Sequence, residues 1–394
     1  MTKNAETLLN TAGAYRTQTN LKNSKNITCD KAWVIAIDIG YSSVKVMSAG
    51  GIYSFPAFAL RCDQMRDVQK IGETKKSDIE YLDEKGIRWY VGELALAQLP
   101  QNDTSFTDET MYSRDRYLSD MFKVIARVGI SLGLIGRKED DTTPIVIQTG
   151  LPPAFLHSDG NLLRQALAGK HQFKSSAGEQ WIERSFTLNE KNIRIMSQPM
   201  GSLYGLVFDD KCAETQLSRE YLNNNILVFD GGMGTLDTFE IKNRSTGKSQ
   251  SFQHLGMRIV LGRVCERLMR DYKVEVTTSS IQPCLRRGSV VEFDPAAFTS
   301  KEIPISKIVE EESQKVFEEA MVQIRQSYHN LMDYKYLIVT GGTGAAWFDK
   351  IKEYCKNLKT LEVVSALGSS NLPEIFANVR GYYLSCVNKI NKAK

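Results

Sequence analysis

The sequence predicts an α/β fold built from two related halves, and three observations support this prediction. Short apolar segments typical of buried strands alternate with longer segments of helical periodicity. Two glycine-containing turns of the same design, beginning at Asp38 and Asp230, each follow an apolar segment. A third glycine cluster, residues 341–344, lies between a predicted strand and a predicted helix. The repeated design indicates duplicated halves that share one site between them.

Length and composition agree with a globular protein of two domains. The 394 residues are enough for two domains of about 150–200 residues each. No apolar stretch is long enough for a transmembrane helix, and no apolar signal segment follows the N-terminus, so we expect a cytoplasmic protein. The 50 basic and 46 acidic residues nearly cancel, so charge does not predict direct nucleic-acid binding.

The cysteines and histidines do not form a recognisable metal or disulfide pattern. Seven cysteines are scattered without a CxxC pair, which argues against both a disulfide framework and a zinc site. The four histidines show no ligand spacing either. We therefore expect reduced thiols and no zinc.

Changes in composition along the chain predict its domain organisation. Residues 1–30 are rich in Asn, Thr and Lys and have few large apolar side chains, which predicts a flexible arm. The remaining predicted boundaries are a first domain over 31–222 with a polar insertion over about 61–115, a second domain over 223–375 with a smaller subdomain over about 263–330, and a segment returning to the first domain over 376–394.

Periodicity predicts the elements that carry the three turns. The predicted strands are 33–37, further strands within 45–58 around a turn at 49–51, then 87–91, 144–149, 225–229, 236–241 and 336–339. The predicted helices are 93–98, 115–135, 305–331 and 345–358.

The first turn has the side chains of a phosphate-binding loop. Glycine allows backbone N–H groups to approach phosphate oxygens, hydroxyls add donors, and a lysine neutralises charge. Asp38, at the end of a strand, can hold magnesium through its water shell. A plain hairpin is the alternative for this turn by itself. The candidate residues are Asp38, Gly40, Tyr41, Ser42, Ser43 and Lys45.

The second turn repeats this design in the second half. An acid again ends an apolar strand and is followed by glycines, a hydroxyl and a return strand. Two such turns predict a clamp around one polyphosphate, which makes two unrelated hairpins a poor explanation. The candidate residues are Asp230, Gly231, Gly232, Met233, Gly234, Thr235 and Asp237.

The third turn is suited to a nucleoside. Glycine backbone can pass close to a ligand, and the N-terminus of the following helix favours anions. A dinucleotide-binding fingerprint is disfavoured because Trp347 stands where its third glycine belongs. The sequence Gly247-Lys-Ser249 resembles the end of a P-loop, but it lies in a polar hairpin. The candidate residues are Gly341, Gly342, Thr343 and Gly344.

Together the three turns resemble those of the actin superfamily, and within it the bacterial actin-like proteins of the ParM type. The turns resemble the two phosphate loops and the adenosine motif, in the family's order, and the likeness covers about residues 33–385. The segments 149–152 and 376–381 are also similar to bacterial actin-like sequences. The resemblance implies an actin-like, ribonuclease H-like duplicated fold with two domains around a nucleotide cleft. Gln198 falls where actins carry the residue that positions the attacking water; ParM relatives often have Glu there.

The same resemblance implies a function. It is that of a polymerising ATPase, using ATP or GTP with Mg²⁺ held through water by Asp38 and Asp230, with Gln198 and Asp230 as catalytic residues. Filaments of the chain with itself would segregate plasmid DNA through a DNA-binding adaptor. A cell-shape cytoskeleton and a small-molecule kinase of the same superfamily are the alternatives, and the kinase would need a catalytic base where Gln198 stands. A chaperone ATPase and a non-hydrolysing scaffold are less favoured.

Overall fold

The computed structural model describes residues 17–62, 73–102, 113–242, 244–368 and 370–392. The first half of the predicted arm and parts of the predicted insertion lie outside these described residues.

The described chain alternates strands and helices throughout. The strands are β1 Asn20–Asn23, β2 Trp33–Ile39, β3 Ser43–Ser48, β4 Gly51–Pro56, β5 Ala59–Arg61, β6 Ile79–Leu82, β7 Arg88–Val91, β8 Ile145–Leu151, β9 Gly169–Ala177, β10 Trp181–Leu188, β11 Ile193–Ser197, β12 Ile226–Gly231, β13 Leu236–Lys242, β14 Ser245–Phe252, β15 Ser289–Asp294, β16 Thr299–Pro304, β17 Tyr336–Thr340 and β18 Glu362–Ser365. The α-helices are α1 Glu93–Leu96, α2 Asp120–Gly133, α3 Leu156–Leu167, α4 Gln198–Val207, α5 Ser218–Asn223, α6 Met257–Tyr272, α7 Gln282–Arg287, α8 Ser306–Ser327, α9 Gly342–Cys355 and α10 Ala377–Lys392.

Two large sheets repeat one topology. The first has the order β1-β4-β3-β2-β8-β11 and the second β14-β13-β12-β17-β18. In each sheet a three-stranded antiparallel unit leads into two strands that run parallel to its inner strand, β2 or β12. Five strands of the first sheet therefore match the second in order and direction, and β1 is an addition at the edge. The duplication predicted from the two turns is present in the fold.

Each half also has a smaller sheet. In the first half, β5, β6 and β7 join β9 and β10 in the order β10-β9-β6-β7-β5. The predicted insertion is therefore not an independent unit, because its strands pair with a hairpin from residues 169–188. In the second half, β15 and β16 form a hairpin. The side chain of Gln101 bonds to this hairpin: its Nε2 donates to Val291 O at 2.7 Å, and Val291 N donates to its Oε1 at 2.8 Å.

The prediction that residues 1–30 form a flexible arm is wrong for their second half. Asn20–Asn23 pair antiparallel with β4. Backbone hydrogen bonds therefore order this segment, although it has few apolar side chains. Asn26 Nδ2 donates to Ser48 O at 2.6 Å, and Ile27 packs against the apolar core. The strand signal was missed because the segment is polar, as is usual for an exposed sheet edge.

Two predicted helices differ from the observed ones, because one is interrupted and the other is shorter. The predicted helix over 115–135 is a 3-10 helix, Arg114–Leu118, followed by α2. The break occurs at Ser119, whose extended backbone lets its Oγ accept from Phe122 N at 3.1 Å as an N-cap. The predicted helix over 305–331 ends at Ser327, and the chain then turns through Asn330 at a φ of 52°.

The core has one large apolar cluster in each half and a third large cluster that joins them. In this third cluster, α4 and α10 pack together between the two large sheets, with Ala36 and Val146 from one sheet and Val228 and Ile338 from the other. Because α10 contacts β2, β3 and β8, the chain after the second sheet returns to the first half. No helix among the described residues has both the length and the apolar character needed to cross a membrane.

Candidate functional site

The two related turns lie at equivalent positions of the two large sheets. Asp38 lies near the end of β2, where its cross-strand partner is Lys45, and Asp230 lies near the end of β12, where its cross-strand partner is Asp237. All three carboxyl groups belong to residues that are no more than 5% exposed. Equivalent positions thus hold an acid beside a base in one half and two acids in the other.

A cavity of about 390 Å³ lies between these turns. The predicted residues of all three turns and Gln198 line it, with the exception of Gly231 and Gly344. These two glycines lie behind the lining, where their backbones pack together: a Cβ atom at Gly231 would lie 2.6 Å from Gly344 N. They permit the second and third turns to approach each other.

Asp38 is held by both Lys45 and Gln198. Lys45 Nζ donates to Asp38 Oδ2 at 3.0 Å, and Gln198 Nε2 donates to Asp38 Oδ1 at 3.1 Å. Gln198 is the first residue of α4, which follows β11 directly. The structure therefore brings Gln198 to the first turn, within the same cavity as the second.

Asp230 is held by a side chain from α10. Asn378 Nδ2 donates to Asp230 Oδ2 at 2.8 Å, and the Ser202 hydroxyl donates to Asn378 Oδ1. Burial and the nearby Asp237 raise the pKa of Asp230 to about 7, an effect that the Asn378 bond partly opposes. A neutral amide thus orients the carboxylate without neutralising it.

Asp237 is held by two hydroxyl groups. Thr235 Oγ1 donates to its Oδ2 at 2.8 Å, and the Ser251 hydroxyl donates to its Oδ1. Burial raises the pKa of Asp237 to about 6, against the effect of these two bonds. A cation bound beside these two carboxyls would favour their charged forms.

The cavity is lined by carboxylates, which have the chemistry to bind a divalent cation. Oxygen donors are the preferred ligands of Mg²⁺, which retains several of its waters. Among the described residues, however, no group of three or more His, Cys, Asp or Glu side chains is arranged to hold a metal ion. An ion that Asp38 and Asp230 contact through its hydration shell stays a prediction from the sequence.

The three turns contact one another around the cavity. A Cβ atom at Gly234 would lie 2.6 Å from the Tyr41 ring, so the second turn packs against the first. Gly341 has a φ of 81°, and a Cβ atom there would lie 2.3 Å from Gly231 O and 2.6 Å from Asp230 Oδ1. Only glycine meets both conditions at position 341. It is also the N-cap of α9, whose N-terminus faces the site.

Arg116 is a lining residue that sequence reasoning missed. Its guanidinium donates to the carbonyl oxygens of Ile39 and Gly40 and lies 4.2 Å from the centre of the Tyr41 ring. It thereby supports the backbone of the first turn and adds a positive charge to the cavity. It lies within the 3-10 helix Arg114–Leu118, where no motif marks it in the sequence.

Residues at the start of the described N-terminal segment also line the cavity. Thr17, Gln18 and Asn20 line it, and the Ser54 hydroxyl donates to Gln18 O at 3.4 Å. The segment predicted to be a flexible arm therefore contributes three residues to the cavity lining. Pairing with β4 carries them there, and their composition gave no indication of it.

Comparison with known proteins agrees with this architecture. Residues 36–201 match the family described as "Actin like proteins N terminal domain". A comparison with curated protein sequences finds no match to the chain.

Solved structures similar to the chain are actin homologues. They include a non-polymerisable quadruple mutant of pCBH ParM, with 18% identity and a TM-score of 0.68, covering 91% of this chain and 99% of that chain. A 15-stranded ParM filament from Clostridium botulinum has 18% identity and a TM-score of 0.67, with the same coverage. An archaeal actin homolog in complex with ADP has 16% identity and a TM-score of 0.61, covering 90% of this chain and 99% of that chain.

The chain has the actin-like fold. Residues 36–201 match a family of actin-like proteins, and the solved structures show the same fold over almost the whole chain. The resemblance predicted from the three turns is confirmed.

Proposed function

We propose that the chain is an ATPase that polymerises with its own copies into filaments. The observation that carries this proposal is the single cavity lined by two equivalent acidic turns, one from each large sheet. A ligand with several phosphates and a divalent cation complements such a site, because hydroxyls, backbone N–H groups and Lys45 surround the carboxylates. ATP is the proposed nucleotide, with GTP as the other candidate.

Hydrolysis would rely on positioning. Bound Mg²⁺ would supply positive charge that stabilises the phosphate oxygens. Asp38 and Asp230 would hold the cation's water shell, and Lys45 would neutralise phosphate charge after leaving Asp38. Gln198, released from Asp38, would orient the attacking water through its amide. Asn378 would keep Asp230 oriented.

Self-assembly is proposed from the known assemblies of the same fold. Similar structures include a 15-stranded ParM filament and an Alp12 filament, whose coverage of this chain is 91% in both cases. Loss of the γ-phosphate would change the relation between the two halves and so weaken contacts between subunits. Hydrolysis would then limit filament lifetime.

Plasmid or other DNA segregation is the proposed role. It is supported by the likeness to ParM structures, and the near-neutral balance of 50 basic and 46 acidic residues favours a separate DNA-binding adaptor over direct contact with DNA. The proposed site of action is the cytoplasm.

The test is phosphate release measured together with sedimentation. With ATP and Mg²⁺, we expect phosphate release and a pelleted fraction that rises above a critical protein concentration. Asp230→Asn should abolish release, whereas EDTA should prevent it in the wild type. ADP formation that requires an added small-molecule acceptor and releases no inorganic phosphate would instead identify a kinase, because the phosphoryl group is transferred to the acceptor. Pelleting without phosphate release would identify a non-hydrolysing scaffold.

A further inference from the structure

Tyr382, on α10, is completely buried beside the proposed catalytic site. It is 0% exposed, yet its hydroxyl has no hydrogen-bond partner among the described residues. Buried hydroxyl groups are normally bonded, because burying an unbonded one is unfavourable. The neighbouring Tyr383 follows this rule, since its hydroxyl donates to Ile27 O.

Two glycines create the space that Tyr382 occupies. A Cβ atom at Gly150 would lie 2.0 Å from the Tyr382 hydroxyl oxygen, and one at Gly201 would lie 2.5 Å from the Tyr382 ring. Gly201 is inside α4, where glycine is unfavourable for helix stability. Placing this hydroxyl beside Gly150 therefore requires an unfavourable glycine inside α4 and leaves a buried hydroxyl without a hydrogen bond.

Gln198 borders the same small volume. The Cβ atom that would clash with the Tyr382 hydroxyl at Gly150 would also lie 3.2 Å from Gln198 Cγ. In the structure the Gln198 amide nitrogen donates to Asp38. Its amide oxygen has two lone pairs, so it can accept one hydrogen bond from a hydroxyl and another from water.

We propose that Tyr382 is a positioning residue for Gln198. When Gln198 leaves Asp38 to orient the attacking water, the Tyr382 hydroxyl donates a hydrogen bond to its amide oxygen. This bond fixes the orientation of the amide, and the second lone pair of the oxygen accepts from the water. The proposal rests on the proposed hydrolytic function and names a group outside the three turns that serves it.

The electrostatic surroundings keep the hydroxyl a proton donor. Burial raises the pKa of Tyr382 well above its ordinary value, and the nearby carboxylates of Asp38, Asp230 and Asp237 raise it further. Tyr382 therefore remains protonated throughout the pH range in which the protein is handled.

The test compares Tyr382→Phe with Tyr383→Phe. Removing the Tyr382 hydroxyl should lower kcat about tenfold and leave KM for ATP nearly unchanged. The melting temperature should stay the same or rise, because the substitution removes a buried hydroxyl that has no partner in the nucleotide-free protein. Removing the Tyr383 hydroxyl should lower the melting temperature, because its bond to Ile27 O is lost, and should leave kcat unchanged.

A double variant shows whether Tyr382 acts through Gln198. In a Gln198→Ala background, Tyr382→Phe should cause no further loss of kcat, since residues acting as a unit are not additive. A full additional tenfold loss, or a wild-type kcat in Tyr382→Phe alone, would overturn the proposal. Wild-type protein without any nucleotide hydrolysis would overturn the proposed function instead, so the two failures are distinguishable.

Discussion

Asp230 and Asp237 face each other as cross-strand partners on β12 and β13, with both residues almost completely buried. The equivalent pair in the first half, Asp38 and Lys45, is an ion pair with an N–O distance of 3.0 Å. The second half of the site therefore holds like charges where the first half holds opposite ones. A bound cation would compensate this difference.

The Asp230–Asp237 pair predicts a pH-dependent stability. Their folded-state pKa values are raised from 3.8 to about 7 and about 6. Between pH 3.8 and about pH 7 the folded protein binds more protons than the unfolded chain, so the free energy of unfolding falls as pH rises. Their stabilising contribution is complete below the unfolded pKa of 3.8 and is lost as pH rises through about 7.

Melting curves of nucleotide-free protein test this. The melting temperature should fall between about pH 5 and about pH 8, and Asp230→Asn should reduce the slope because it removes one titrating carboxyl. Since other groups also titrate, the difference between the two curves is the informative quantity. Equal slopes in wild type and variant would contradict the raised pKa values.

Gln198→Ala should slow hydrolysis without preventing nucleotide binding. We expect phosphate release to fall by one to two orders of magnitude, about 1.4 kcal/mol of barrier per tenfold. The variant also releases Asp38 from its amide bond, so affinity for ATP should be retained. Single-turnover phosphate release and calorimetric binding separate the two effects. A lost affinity with an unchanged rate of release would make Gln198 a binding residue.

Two truncations should behave differently. Deleting residues 1–16 leaves β1 in place, whereas deleting residues 1–30 removes β1 and the Ile27 carbonyl that accepts from Tyr383. The longer deletion also removes Thr17, Gln18 and Asn20 from the cavity lining. We expect only the longer deletion to lower both the melting temperature and nucleotide affinity. Equal behaviour of the two proteins would mean that β1 contributes to neither property.

Gln101 is expected to slow the exchange of bound nucleotide. Its amide bonds to both backbone groups of Val291, and Arg287 Nη2 also donates to it at 3.1 Å, so it joins the two halves away from the three turns. Gln101→Ala should accelerate release of a fluorescent nucleotide, because this bridge restrains the movement of the two halves relative to each other. Gln98→Ala, at a nearby exposed glutamine, is the matched control. Identical release rates in both variants would exclude a bridging role.

The sequence predicted the features of the fold that depend on local pattern. The strands around Asp38, Asp230 and Gly341 are apolar segments interrupted by glycine, and both properties are visible in sequence. Their convergence followed from the duplication, which predicts that equivalent turns face a shared site. Gln198 was found through resemblance to the actin superfamily.

The residues that sequence reasoning missed depend on long-range packing. Asn378 reaches Asp230 across 148 positions of the chain, and Arg116 reaches the first turn across 76. Strand β1 was not predicted because most of its side chains are polar, although its backbone pairs with β4. Contacts of this kind have no local sequence signal, since burial and partner are set by the completed fold.

Calorimetric titration with a non-hydrolysable ATP analogue and Mg²⁺ tests the central claim most directly, namely that both turns bind one nucleotide. Wild-type protein should bind one nucleotide per chain. Asp38→Asn and Asp230→Asn, which keep side-chain size but remove one charge from each turn, should each weaken binding by about tenfold or more, about 1.4 kcal/mol per tenfold. Binding that neither substitution weakens, or two nucleotides per chain, would contradict a single site shared by the two halves.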